Sequence, residues 1–455
     1  MRPDDTIETD WRPSVTVSED PALEPELAAR LPAHGARRSI AVTELVAPRQ
    51  AYWRAIAPVP RTVEREERLD LGRTVHRLLG GALKDEGRLE VRVRREGTVG
   101  RIDLLADVPV EVKTSATPVD AEELVTARPD QVEQLAMYVA LAGGSIGRLV
   151  TLEVDGGEIR GVRALDVRFG EIDSVRREML ERANDLWGAW ADRSPGALAR
   201  CRWFDRGCEF QDAGVCGCTG GEPPPSGVVA VEVDAVAPRP DVAERIAARI
   251  RDAARPAGPP RVGRVRELLY PRRAYFERTA PLAPAPPRAR DPLAPADLYE
   301  RVRAAIESGP VGDVVRLPPL AQELEEEVAG FRGAPYLVRT SRSRDRASPA
   351  SLMEAQPQYA FELGLRCVAT GTRMGRLVLA RERATDPQDQ LQVFEMRFGA
   401  PTIFSKLWRE RAGDLETAVR ARDPGALPAC PDWMYATCPY AAECGCDAAA
   451  ARSHR

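Results

Sequence analysis

Residues 42–55, VTELVAPRQAYWRA, return at 265–278 as VRELLYPRRAYFER. Val, Glu, Leu, Pro, Arg, Ala and Tyr recur in register. Further pairs follow in the same order. VEVKTS at 110–115 matches YLVRTS at 336–341, and IGRLVTL at 146–152 matches MGRLVLA at 374–380. Each half then ends in a cysteine group closed by Cys-Gly-Cys. Shared order at a near-constant offset is the mark of a tandem duplication. Whatever the first half folds into, the second must fold into as well. At 455 residues the chain is also too long for one typical domain.

The chemistry concentrates in GRIDLLADVPVEVKTS, residues 100–115. Two apolar arms around Asp107-Val108-Pro109 predict a strand hairpin. Asp103 lies in the first arm, and Glu111 and Lys113 in the second. Side chains two apart on a strand share a face, so Glu111 and Lys113 point together and Asp103 can meet them across the hairpin. Two acids and an amine among Val and Leu are costly to bury unless they pair or bind a cation. Converging carboxylates suit a hard divalent ion such as Mg²⁺ or Mn²⁺. The competing explanation is a surface hairpin with a salt bridge. Lysine is scarce, at Lys84, Lys113 and Lys406 in a chain that otherwise writes arginine. Keeping an amine at 113 therefore carries information, because it is compact and its pKa is tunable.

Around the hairpin the periodicity alternates between helix and strand. The stretch SIAVTELVAPRQAYWRAIAP, residues 39–58, predicts a helix around Leu45 interrupted near Pro48. LEVRVRR and GRLVTLEV predict strands. ARPDQVEQLAMYVALAGG and EIDSVRREMLERANDLWGAW predict helices, the second amphipathic. Gln134 and Tyr138 lie one helical turn apart, on one face. Residues 1–38, acidic and Pro-rich, predict a disordered segment, and 219–262 a Pro/Gly-rich linker with one short helix near VAERIAARIRDAA. Residues 39–218 and 263–446 are then the two copies, with 447–455 a tail.

Asp103, seven residues, then Glu111-Val112-Lys113 resembles the PD-(D/E)XK nucleases. Gly72-Arg73-Thr74-Val75-His76 before the sheet, and Gln134-Leu135 with Tyr138 after it, resemble the further motifs of the RecB-like and Cas4-like branch. The resemblance covers about residues 40–220 and, more faintly, 263–446. It implies a restriction-endonuclease-like α/β fold, a mixed sheet flanked by helices, in two tandem copies. It implies His76, Asp103, Glu111 and the Val112 carbonyl as metal ligands. Lys113 would orient the attacking water or stabilise charge on the phosphate, and Gln134 and Tyr138 would flank the site and the strand. The residues' own alternatives are a structural helical histidine and an ordinary polar helix edge.

Nine cysteines are present. Cys201, Cys208, Cys216 and Cys218 form one group, Cys430, Cys438, Cys444 and Cys446 the other, and Cys367 stands alone. Without a signal peptide, clustered cysteines favour metal or cluster ligation over disulfides. Four thiolates suit zinc or an iron–sulfur cluster. The resemblance implies a [4Fe–4S] cluster, but the cysteine that the branch would place near Ala47 is absent, and Tyr270 stands there in the second copy.

The copies part at the chemistry. Leu337 answers Glu111, Arg339 answers Lys113, Glu362 answers Gln134, and Arg366 answers Tyr138. The second copy is therefore expected to be catalytically dead. With a net charge of −4, any nucleic-acid path must be a local arginine groove. Arg49, Tyr52, Trp53 and Arg54, with Arg272, Arg273, Tyr275 and Phe276, could grip single-stranded DNA or be ordinary packed helix faces. No apolar run is long enough to span a bilayer, and a cytoplasmic protein is expected. The expected activity is metal-dependent hydrolysis of DNA, as an exonuclease on single-stranded or frayed ends. DNA repair or CRISPR-adaptation proteins would be the partners. The alternative is a non-catalytic DNA-binding scaffold stapled by its cysteine sites.

Overall fold

The structure is a computed structural model. It describes residues 11–33, 35–61, 66, 69, 70, 72, 74, 83, 86–155, 158–199, 208–216, 232–253, 263–282, 287–289, 291–317, 324, 328–343, 345–384, 387–430 and 438–444. Strand β1 (Val15–Glu19) and helix α1 (Leu23–Ala29) come first, then β2 (Ile40–Ala41), α2 (Val42–Val46) and α3 (Pro48–Ile56). The break expected near Pro48 falls at Ala47, with φ −133° and ψ 66°. Proline disfavours helical geometry in the residue before it, yet fits the first turn of the next helix. Strands β3 (Arg88–Arg95), β4 (Thr98–Leu105) and β5 (Pro109–Ser115) follow. Glu96 and Gly97 join β3 to β4 with φ of 50° and 76°. Two successive positive φ values are what a tight hairpin turn with the twist of its strands requires.

Helix α4 (Pro129–Ala142) carries the chain over to β6 (Ile146–Asp155), which runs parallel to β5. Gly143, at φ 83°, ends the helix. Strand β7 (Glu158–Phe169) returns antiparallel, and α5 (Ile172–Ala191) follows. Then come β8 (Val233–Pro238), α6 (Pro240–Ala253), α7 (Val265–Leu269), α8 (Pro271–Thr279), α9 (Leu298–Glu307) and β9 (Val314–Leu317). The chain finishes its second pass with β10 (Val328–Phe331), β11 (Ala334–Ser341), α10 (Pro357–Thr370), β12 (Met374–Arg381), β13 (Leu391–Phe398) and α11 (Pro401–Ala421). The crossover recurs, because β11 and β12 are parallel with α10 between them.

These elements sort into two compact units that do not follow the repeat boundaries. The first is Ala29–Arg255 with Pro286–Arg316; the second is Met1–Ala28, Pro256–Ala285 and Leu317–Arg455. In the first unit the strands run β9-β3-β4-β5-β6-β7-β8, with β2 beside β4. In the second they run β1-β13-β12-β11-β10. Each is a mixed sheet flanked by helices, as expected.

The tandem boundaries need correction. The segment expected to be disordered contains β1, which pairs with β13 from Val15↔Phe398 to Glu19↔Phe394. Trp11 also packs on Phe361 and Phe404, with ring centroids 5.5 and 5.7 Å away. The expected linker contains β8, which pairs with β7. The short helix expected there is α6, and its Val242, Ile246 and Ile250 cover the sheet face formed by Val110, Val112, Val150 and Leu152. Each repeat's leading strand thus closes the sheet of the other repeat. The second repeat also lends α9 and β9 to the first unit. Local composition misled here, since Pro and Gly punctuate segments that still alternate enough to form an edge strand.

Buried charges tie the first unit together. Arg182 of α5 reaches Glu133 of α4 at 2.5 Å and donates to the Leu45 carbonyl at 3.0 Å. Arg148 of β6 forks onto Asp107 at 3.0 and 3.1 Å and onto Asp166 at 2.6 and 3.2 Å. Asp107 therefore anchors the turn before β5. No helix among the described residues is long and apolar enough to cross a membrane.

Candidate functional site

On β5 the alternation sends Val110 and Val112 into the core and Glu111 and Lys113 to the opposite face, under α4. Glu111 is 2% exposed. The Lys113 ammonium donates to Glu111 Oε1 at 2.5 Å and to Gln134 Oε1 at 2.9 Å. Gln134 Nε2 in turn donates to the Tyr138 hydroxyl at 3.1 Å. That chain of donors fixes which end of the Gln134 amide faces the lysine. Asp103, on β4, is held by the Val112 N–H at 2.8 Å. So the structure brings together Asp103, Glu111, Lys113, Gln134 and Tyr138, with Val112 as the backbone link. His76 lies outside the described residues. Leu69, earlier on the same stretch, lines the same cleft.

Gly100 lets this assembly close. A Cβ there would come within 2.8 Å of Leu141 and 3.1 Å of the Tyr138 ring. Without one, α4 settles directly on β4.

The electrostatics are those of a crowded acidic pair with one amine. Burial works against the Lys113 ammonium, but Glu111 and then Asp103 hold its pKa above the usual lysine value. Burial, with Glu111 and Asp103 adding, pushes the Tyr138 phenol well above its ordinary range. It stays protonated and can donate. Glu111 Oε2 is buried and has no hydrogen-bond partner among the described residues. A buried carboxylate oxygen in that state wants a cation or a donor. Together with Asp103 it offers the hard oxygen donors that Mg²⁺ or Mn²⁺ prefers, so the residues fit such an ion. Among the described residues there is no group of three or more His, Cys, Asp or Glu arranged to hold a metal.

The cleft around these residues has a volume of about 940 Å³ and is lined by Arg37, Arg38, Arg92, Arg94, Arg101, Arg301 and Arg303. They outnumber the lining carboxylates Asp103, Glu111, Glu300 and Glu307. A local basic groove therefore exists within an acidic chain. Arg92 and Arg94 are spaced by Glu307 of α9, which takes them at 3.2 and 2.8 Å and Arg303 at 2.7 Å. Sequence reasoning missed these arginines. The alternation of LEVRVRR carried the signal for Arg92 and Arg94. Nothing local could have shown that α9, some 200 residues on, lines this cleft.

The proposed grip of helix arginines and aromatics needs correction. Arg49 donates to the Leu198 carbonyl at 2.9 Å, and Tyr52 is buried. Arg272 donates to the carbonyls of Cys444 and Pro424 at 2.9 and 3.0 Å, and Tyr275 is buried. These side chains fasten α3 and α8 to the segments that carry the cysteines.

Cys208 and Cys216 are buried with Phe210, against Trp53 and Val59. Cys430, Cys438 and Cys444 gather with Tyr440, Tyr270 and Phe276. Cys201, Cys218 and Cys446 lie outside the described residues. Both thiol groups therefore form at the same place, beside the helix that follows Ala47 or Tyr270. Among the described residues neither cysteine group is arranged to hold a metal. Cys367 sits apart in the core, where burial pushes its thiol up to about 12.

In the second unit the equivalent positions form a different constellation. Arg339 and Arg366 both grip Glu362, at 2.5 and 3.0 Å. Strand β10, which takes the place of β4, reads Val-Ala-Gly-Phe and brings no carboxylate.

No family model matches the sequence. No curated protein matches it. Among solved structures, SSO0001 matches over 44% of this chain and 96% of its own, at 18% identity and a TM-score of 0.27. A likeness that slight carries no argument about fold or function.

Proposed function

We propose that the first unit is a metal-dependent DNA nuclease of PD-(D/E)XK type, acting on single-stranded or frayed ends. The observation that carries this reading is Glu111. It is a buried carboxylate with one oxygen on Lys113 and the other without a hydrogen-bond partner among the described residues, beside Asp103, at the floor of an arginine-lined cleft. When bound, Mg²⁺ or Mn²⁺ would polarise the scissile phosphate and lower the pKa of a water. Asp103 and Glu111 would hold the ion, and His76 and the Val112 carbonyl are its further proposed ligands. Lys113 is kept charged by its acidic neighbours and lies within reach of a phosphate oxygen or a water in the cleft. Gln134 holds the ammonium in place, and Tyr138 offers a protonated hydroxyl. The arginines take the backbone phosphates.

The direct test is digestion of end-labelled single-stranded DNA with Mg²⁺ or Mn²⁺. Wild type should cleave, and Glu111→Ala and Lys113→Ala should not. If no DNA form is cut, the reading fails and the chain is a binding scaffold. The cysteine groups are proposed as [4Fe–4S] sites, with zinc as the alternative. Anaerobically purified protein should then be brown and contain iron; a colourless, zinc-containing protein would reject the cluster. Recombinational repair or CRISPR spacer acquisition are the proposed settings.

A further inference from the structure

Residues two apart on a strand share a face, yet β3 and β4 break this rule together. Leu89 and Leu104, paired across the strands, join the core under α6. Val91 and Ile102, the next such pair, join the core under α4. Glu90 and Asp103 stand opposite each other between these pairs, where the faces switch. Glu90 has a φ of 48°, and β3 carries an extra residue against β9 between Leu89 and Arg92. A left-handed glutamate inside a strand is strained, and bulges of this kind re-aim side chains beside functional sites. This one aims a carboxylate. The Glu90 side chain is 8% exposed and lies 2.8 Å from Nε of Arg101, which is 53% exposed and lines the cleft.

We propose, resting on the reading of the first unit as a DNA nuclease, that Glu90 is a positioning residue and sets the Arg101 guanidinium to take the phosphate next to the scissile one. Arg101 and Asp103 lie two apart on β4 and both line the cleft. That spacing sets them roughly 7 Å apart along the strand, about one nucleotide step in an extended single strand. Arg101 is near enough to Tyr138 for its charge to oppose the rise of the phenol pKa. Arg92 stands directly opposite Arg101, and like charges so placed repel. Each has its own acid: Glu307 takes Arg92 at 3.2 Å, and Glu90 takes Arg101. The two guanidiniums are drawn to separate anchors, which keeps Arg101 beside Asp103. An exposed guanidinium tethered to a buried acid loses less freedom when it meets a phosphate than a loose one does.

The experiment is a double-mutant cycle of Glu90→Gln and Arg101→Gln in the full chain. It is read by KM and kcat on a single-stranded thymidine oligonucleotide with Mg²⁺ or Mn²⁺. It is read again by fluorescence anisotropy of the labelled oligonucleotide in EDTA, which needs no cleavage. Arg101→Gln should weaken binding and raise KM about tenfold with kcat little changed. It should also lower the slope of log affinity against log salt by about 0.7, as loss of one strand phosphate contact requires. Glu90→Gln should weaken binding about threefold alone and no further in the Arg101→Gln background. Arg101→Lys should recover part of the loss. Should Glu90→Gln misfold by circular dichroism, Glu90→Gly, which accepts the positive φ without strain, replaces it in the cycle. Unchanged affinity or salt slope in Arg101→Gln, or additive losses in the cycle, would overturn the proposal. So would a Glu90→Gln protein with a lower melting temperature and wild-type affinity, which marks a purely structural acid. A wild type that cuts no DNA but whose binding follows the cycle supports the Glu90–Arg101 grip and rejects the nuclease reading; no binding of DNA rejects both.

Discussion

Lys113 and Glu111 form a pair in which the acid is almost wholly buried and the amine is about one-quarter exposed. Removing the amine leaves an uncompensated carboxylate, so Lys113→Met should cost about 3 kcal/mol as well as activity. Because the folded pKa of Lys113 is raised, its contribution is fully present below the unfolded lysine value of about 10.4. It is lost as pH rises through the higher folded value. Urea unfolding between pH 8 and 11 should therefore show the gap between wild type and Lys113→Met shrinking at the alkaline end. A gap that stays constant would mean the pair does not titrate as argued. Gly100→Ala tests the approach of α4. Its new methyl would press on Leu141 and the Tyr138 ring, costing about 1–3 kcal/mol and displacing Tyr138. Thermal melts and a cleavage assay check both effects. The clustering of the candidate residues was legible from sequence because they are few, closely spaced and chemically out of place in a Val/Leu strand pair. Arg101, which lines the same cleft and bridges Glu90 at 2.8 Å, was not, since one arginine among so many carries no local signal.

At the scale of elements, α9 is the informative case. Its Glu307 side chain is 1% exposed and serves Arg92, Arg94 and Arg303. Burial opposes its charge, but those arginines win and hold its carboxyl below the usual value. A depressed acid stabilises above its unfolded pKa, about 4.3, and the gain is lost as pH falls through the folded one. Glu307→Gln should thus destabilise the protein by about 2 kcal/mol at neutral pH. The loss should fade as the pH falls below the ordinary glutamate value, as read from denaturant midpoints. Helices and strands themselves were legible: α4 with its glycine stop, α5 with its apolar stripe, and the break at Pro48. Strands β1 and β8 were not. Edge strands alternate only weakly, and proline and acidic residues around them look like linker.

For the molecule as a whole, the recurring order of strands and helices was legible and the exchange was not, because pairing between distant strands leaves no mark in either one. The exchange changes what counts as a removable half. Cutting the chain before β8, between residues 219 and 232, takes β8, α6, α9 and β9 from the first unit, and separates β1 from β13. Neither fragment should then be well folded. Expression of residues 1–231 alone should give poorly soluble protein, or hydrogen exchange with weak protection in β3 and β7. A soluble fragment with native protection there would contradict the unit boundaries.

The pairing of Val15 with Phe398 also has a consequence for synthesis. A ribosome delivers the first edge strand hundreds of residues before the strand it docks on. Until then the opening stretch can only wait, and the first sheet cannot gain β9 until residue 317 has emerged. Contacts so remote along the chain fold slowly and leave strand edges bare in the interval. Closure of the second sheet is therefore expected late, only after β13 has emerged, and chaperones that shield the nascent chain until then should raise the folded yield.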